Sequence, residues 1–317
     1  MAYSEEVLNR VQERILAETK KMREYNRTVR IGGERREMRV SGRTVPYVWY
    51  SCGDAPAPLI LGFHGGGYLF GGAASNDSMW RATADFLHCH VASVEYRMSP
   101  EYQYMAAIED AYDSACWFFD NAEALGADRS RIMTMGMSAG ANLAAAVCLY
   151  AKRQGKKLFS AQILLYPMLD ACTDPDSKGS GSLQGPVLYL FNRLHAPETA
   201  SRDPLVSPVF AGSAELEGLP AAVIAVADND ALQAEGLRYG ELLRAAGTPA
   251  AVMKADQMPH GYFEIGFGKP TKFDTDFLGR ETLAQIEDGS IHARSEETLA
   301  FINRHLEGET AGTGSSF

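Results

Sequence analysis

The sequence predicts an α/β protein built on a mostly parallel sheet. Short runs that are apolar throughout recur at residues 59–63, 91–96, 132–135, 163–166, 222–226 and 251–254. Helix-like stretches separate them, near 78–87, 106–124, 139–154 and 231–246. A strand with no polar side is covered on both faces, and crossover helices supply that cover. Alternation of the two patterns defines the class.

The elements follow in chain order. Ser4 can cap a helix that runs to about residue 23, because Val7, Leu8, Val11, Ile15, Leu16 and Met22 recur near the 3.6-residue period. Two strand-like runs follow at 35–40 and 45–50, and then the α/β rhythm begins. Two stretches interrupt it. Residues 171–218 carry Pro, Gly and Ser around a central apolar run at 187–194, and residues 266–290 are long and irregular. Loops of that length in an α/β domain serve as lids, caps or binding elements. Residues 309–317 are small and polar and read as a disordered tail.

Composition excludes several classes. At 317 residues the length suggests about two domains. A hydrophobic share of 46% with 22% charged residues is ordinary globular chemistry, not disordered or collagen-like. Forty acids against thirty bases give a net charge of -10, which repels phosphate backbones, so no nucleic-acid partner is expected. The basic stretch 23–39 is interrupted by glutamates and reads as a solvated face. The cysteines, Cys52, Cys89, Cys116, Cys148 and Cys172, are odd in number and widely spaced with no CxxC pair. That argues against a disulfide framework or zinc site and fits reduced thiols in a cytoplasmic setting. The first residues lack a basic-then-apolar secretory pattern. No run approaches the roughly 20 apolar residues of a membrane span.

The sharpest motif is Gly136-Met137-Ser138-Ala139-Gly140, between a strand run and a helix run. A serine on such a turn stands above the sheet edge, and the flanking glycines remove side chains that would clash. The helix start behind it favours developing negative charge. A second motif, His64-Gly65-Gly66-Gly67-Tyr68, directly follows the run 59–63. Its backbone N–H groups at Gly66 and Gly67, with that of Ala139, can form an oxyanion hole. No Lys-Ser/Thr follows, so it is not a phosphate loop. His64 reads as a brace for the loop and not as a base.

A serine nucleophile needs a base, and the base needs an orienting carboxylate. His260 lies just after the last sheet-like run, in Pro259-His260-Gly261-Tyr262. His88 and His90 read as structural, and His195, His292 and His305 as surface or core. For the acid, Asp228 and Asp230 both follow the run 222–226, and one of them can cap the next helix. The order Ser, Asp, His is that of α/β-hydrolases.

Together these motifs resemble the hormone-sensitive-lipase-like group of α/β-hydrolase esterases. Further matching segments are Glu95-Tyr96-Arg97-Met98-Ser99-Pro100-Glu101, Asn142-Leu143, Leu165-Tyr166-Pro167, Asp203-Pro204 and Ser207-Pro208. The resemblance spans residues 58–265. It implies that Asp230 is the carboxylate, because the family's Asp-Pro-Leu-x-Asp-Glu-Gly aligns with Asp230-Ala231-Leu232-Gln233-Ala234-Glu235-Gly236. It implies a catalytic domain over 46–170 and 219–308, with a helical cap from 1–45 and 171–218. Three features depart from the pattern: Met137 before the nucleophile, Ala141 in place of a second glycine, and the long stretch 266–290.

The expected function is a serine carboxylesterase on short acyl esters, such as acetyl or butyryl esters of small molecules. Ser138, Asp230 and His260 form its triad, and no metal or cofactor is needed. An arylformamidase or other amidase would use the same triad. A ligand-binding homologue without turnover is a reading from another class. The expected partner is a small ester, and a homodimer is compatible with the sequence.

Overall fold

In a computed structural model that describes residues 4–179, 181, 185–268 and 280–307, eight strands form one sheet in the order β1-β2-β4-β3-β5-β6-β7-β8. These are β1 (Glu34–Val40), β2 (Arg43–Tyr50), β3 (Ala57–Phe63), β4 (His90–Val94), β5 (Ala127–Met137), β6 (Ala161–Leu165), β7 (Ala221–Asn229) and β8 (Ala250–Pro259). β2 runs antiparallel to β1 and β4, and every pairing from β4 to β8 is parallel. The all-apolar runs are the central strands. β4 and β6 are buried at every position, as double cover requires.

Helices cover both faces. On one side lie α3 (Tyr104–Asn121), α4 (Ala139–Arg153) and α7 (Gln233–Ala245), and their side chains share one apolar cluster with Leu59, Leu61 and Ile224. α4 is buried nearly all round, and its Ala144-Ala145-Ala146 run gives high helix propensity with little bulk between sheet and α3. The other side is covered by α2 (Asp77–Phe86), α8 (Tyr262–Phe267) and α10 (Ser290–Leu306), around Ile60, Met135 and Ile163. Trp80 of α2 is fully buried against Gly62 of β3, where a Cβ would come within 2.7 Å of the indole.

Several expectations are refined. α1 runs from Glu5 to Thr28, and the Ser4 hydroxyl accepts the N–H of Val7 as its cap. The apolar run 187–194 is a helix, α5 (Gly185–His195), packed beside α1. A short α6 (Ser213–Leu216) precedes β7. Residues 1–45 were expected to belong wholly to the cap, but β1 is an edge strand of the central sheet. One face of β1 is exposed, so its alternating pattern lacks the apolar run that marks the inner strands. Within 266–290, α9 (Arg280–Glu287) is helical; residues 269–279 and the tail 309–317 lie outside the described residues. The basic stretch is not simply solvated. Arg23 pairs with Glu101 at 2.8 Å and donates to the carbonyls of Leu69 and Ser99, tying α1 to the body. All five cysteines are unpaired thiols.

Candidate active site

Ser138 stands between the end of β5 and the first residue of α4, with φ 54° and ψ -117°. A left-handed φ on a non-glycine residue stores strain, of order 1–3 kcal/mol, that the surroundings must hold. They do so with hydrogen bonds. The Ser138 N–H donates to Leu165 O at 3.0 Å, and the Ser138 carbonyl accepts from Asn142 and Met168 at 3.1 and 3.2 Å. Two glycines make the turn sterically possible. A Cβ at Gly136 would collide with the Gly140 carbonyl, and one at Gly140 with the carbonyls of Phe63 and His64. The start of α4 thus rests directly on the end of β3.

The loop after β3 lies against this turn. A side chain at Gly65 would meet the Met137 carbonyl at 3.1 Å and the Ser138 Cβ at 3.6 Å. The N–H groups of Gly66 and Gly67 have no acceptor among the described residues, and that of Ala139 opens α4, where the first N–H groups lack intrahelical partners. His64 braces the loop, as expected. It is buried, stacks on Tyr96 with centroids 4.3 Å apart, and its Nδ1 lies 2.8 Å from Gly65 O. Burial pushes its pKa below the usual histidine value.

The two candidate acids separate clearly. Asp230 follows β7 with its side chain fully buried, and its Oδ2 lies 2.7 Å from His260 Nδ1. Its Oδ1 accepts the Leu232 N–H at 3.0 Å. α7 therefore starts at Gln233, two residues later than the pattern suggested, because Asp230–Leu232 form the turn that aims the carboxylate. Asp228 instead pairs with Lys254 of β8 at 2.6 Å. Hydrogen bonding from Lys254 is the main cause holding its pKa low. His260 follows β8, with its side chain 13% exposed. Ser138, Asp230 and His260 thus all lie at the carboxyl ends of β5, β7 and β8.

The amino-acid pattern of the alpha/beta hydrolase fold matches residues 60–264. The chain belongs to this family. Its hormone-sensitive-lipase-like character, read from the motifs, accords with the relatives of this alpha/beta hydrolase. It is 37% identical over 240 residues to esterase LipI of Mycobacterium tuberculosis, covering 74% of each chain. Ethyl acetate hydrolase of Pseudomonas putida is 32% identical over 238 residues, covering 71% of this chain and 73% of that one. Among solved structures, an esterase of Pyrobaculum calidifontis superposes with a TM-score of 0.72 at 27% identity, over 93% of this chain and 92% of that one.

Some neighbours of the site were not singled out by sequence reasoning. The Tyr166 ring packs edge-on against His260, centroids 5.0 Å apart, and its hydroxyl donates to Glu264 of α8. Glu264 Oε1 lies 3.7 Å from where a Cβ on Gly65 would sit. Tyr166 belongs to the Leu165-Tyr166-Pro167 segment, but nothing in that segment signals contact with the base. No group of three or more His, Cys, Asp or Glu is placed to hold a metal among the described residues. No described helix is long and apolar enough to cross a membrane.

Proposed function

We propose that the protein is a serine carboxylesterase acting on short acyl esters through an acyl-enzyme. The supporting observation is the Asp230–His260 pair at 2.7 Å on the same sheet edge as the strained Ser138 turn. In this reading His260 takes the Ser138 hydroxyl proton as Oγ attacks the ester carbonyl. Asp230 holds the imidazole through Nδ1 and stabilises the imidazolium that forms. The N–H groups of Gly66, Gly67 and Ala139 receive the oxyanion, each donor worth about 3–4 kcal/mol. The C–O bond then breaks as His260 returns the proton to the leaving alcohol. Water, deprotonated by His260, cleaves the acyl-enzyme and restores Ser138.

Support for short acyl groups comes from two sides. One relative bears the name ethyl acetate hydrolase. Among the described residues only four large apolar side chains are exposed, Val7 and Tyr25 of α1, Phe86 of α2 and Tyr102, which is few for a lipid-binding surface. We propose that α1 and the segment 171–218 cap the site.

The test is p-nitrophenyl esters from acetate to palmitate, with N-formylkynurenine beside them, on wild type and Ser138→Ala. The expected result is peak kcat/KM at acetate or butyrate and loss of hydrolysis in the variant. A peak at long chains would overturn the acyl preference, and full activity in Ser138→Ala would overturn the mechanism. Faster turnover of the formamide would make the enzyme an amidase on the same triad.

A further inference from the structure

Helix α5 touches the loop that follows β3 at two consecutive residues. Phe191 and His195 lie one turn apart and so share a face of the helix. Both are buried. The Phe191 ring fills the space that a side chain on Gly67 would need, with Cδ1 2.6 Å from that Cβ position. Phe70 packs edge-on against Phe191 at 6.0 Å. One turn on, the His195 imidazole lies flat on Tyr68, centroids 3.5 Å apart and planes 10° apart. Tyr104 makes an edge contact with His195, centroids 6.3 Å apart.

Tyr68 needs such support. Its φ is +62°, a strained value for a side chain of that size. Behind it, its hydroxyl donates to Asn142 of α4 at 2.7 Å, and its carbonyl accepts the Ser99 N–H at 2.9 Å. In front, only the ring of His195 stacks on it among the described residues. His195 Nε2 has no hydrogen-bond partner among those residues, so no hydrogen bond at that atom accounts for a buried histidine here. Burial lowers its pKa to about 3, so the ring is neutral in any ordinary assay. What it offers Tyr68 is a flat, uncharged face.

We propose that α5 clamps the oxyanion loop: Phe191 on Gly67 and His195 on Tyr68 hold the loop's N–H groups at the position where the ester oxygen becomes negative. The inference rests on the serine-esterase reading above. His195 is then a positioning residue, and the helix covering the site is also part of what assembles it. Oxyanion donors act only within about 2.7–3.1 Å of the developing charge. A displacement of about 1 Å lowers rates by about a hundredfold. The clamp should therefore act on kcat more than on KM.

The experiment compares His195→Leu, His195→Phe and Phe191→Leu with wild type. Readouts are kcat and KM on p-nitrophenyl acetate, thermal melting, and the rate at which a fluorophosphonate labels Ser138. Labelling forms an Oγ–P bond as fluoride leaves and the serine proton passes to His260, and it places a phosphoryl oxygen in the same hole. Leu variants should lose about tenfold or more in kcat and in labelling rate, with KM within about threefold. His195→Phe keeps the flat ring and should stay within about threefold of wild type. Wild-type kcat in a folded His195→Leu overturns the clamp. So does a folded His195→Phe as slow as His195→Leu. If His195→Leu does not fold, Phe191→Leu decides alone: unchanged kcat overturns the clamp, and a tenfold loss at constant KM supports it. Wild-type protein that is neither active nor labelled would instead sink the esterase reading itself.

Discussion

At the scale of single residues, the two aspartates after β7 show how little sequence position says about role. Asp228 and Asp230 are two positions apart, and one carboxylate is half in water beside Lys254 while the other is enclosed against His260. The difference arises because β7 ends at Asn229 and the chain turns inward, so that Asp230 loses its water and gains an imidazole. In the proposed mechanism, replacing Asp230 with Asn removes the charge that would balance the imidazolium and presents an N–H to Nδ1, which favours the wrong tautomer. Asp230→Asn should lower kcat by about 10³–10⁴. Asp228→Asn loses an ion pair that water already screens, and kcat should stay within about threefold. Steady-state kinetics on one short ester check both, and equal losses in the two variants would refute the assignment of Asp230. The glycines of the elbow are similarly decided by contact: Gly140 is needed because β3 carbonyls occupy the space beside it.

At the scale of elements, one buried ion pair joins the loop after β6 to α7. Lys178 and Glu235 are 2.7 Å apart, each with a side chain only 6% exposed. Lys178 also donates to Asp170 O, and Glu235 Oε1 accepts the Leu169 N–H at 2.6 Å. Gly181, three residues on, packs directly on the backbone of Asp230 and Ala231. The pair therefore pins this loop next to the candidate acid. Burial pushes the Glu235 carboxyl up to about 7 from 4.5, against the opposing pull of Lys178. A carboxyl with a raised folded pKa binds more protons folded than unfolded. Its contribution to stability is full below about 4.5 and fades as pH rises through about 7. Removing Lys178 leaves a buried carboxylate alone, a loss of about 3–5 kcal/mol where it stays charged. Lys178→Met should thus lower the melting temperature far more at pH 8.5 than at pH 5.5, where the carboxyl takes up a proton. Thermal denaturation at the two pH values tests this, and equal destabilisation at both would count against it.

At the scale of the whole molecule, the net charge of -10 acts on any charged substrate that approaches. An anionic ester is repelled and a neutral one is not, and salt screens the repulsion over about 8–10 Å. The ratio of kcat/KM for a hemisuccinate ester to that for the matching acetate should rise between 20 and about 300 mM salt; a ratio independent of salt would show that the global field does not reach the site. The sheet order explains why three distant segments meet. β5, β6, β7 and β8 are consecutive neighbours, all parallel, so the loops after them rise from one edge. The sequence by itself determined the fold class, because fully apolar runs and periodic helices are local signals. It determined the serine turn and the glycine loop as well, since each demands residue types within five positions. It left β1 within the cap range, because a half-exposed edge strand carries no apolar run. The family resemblance pointed to Asp230, and the tertiary structure shows its contact with His260; only the tertiary structure decided which tyrosine flanks His260 and that His195 is a buried ring stacked on Tyr68. Those choices depend on contacts between residues far apart in the chain, and neither periodicity nor composition records which distant surfaces close on one another.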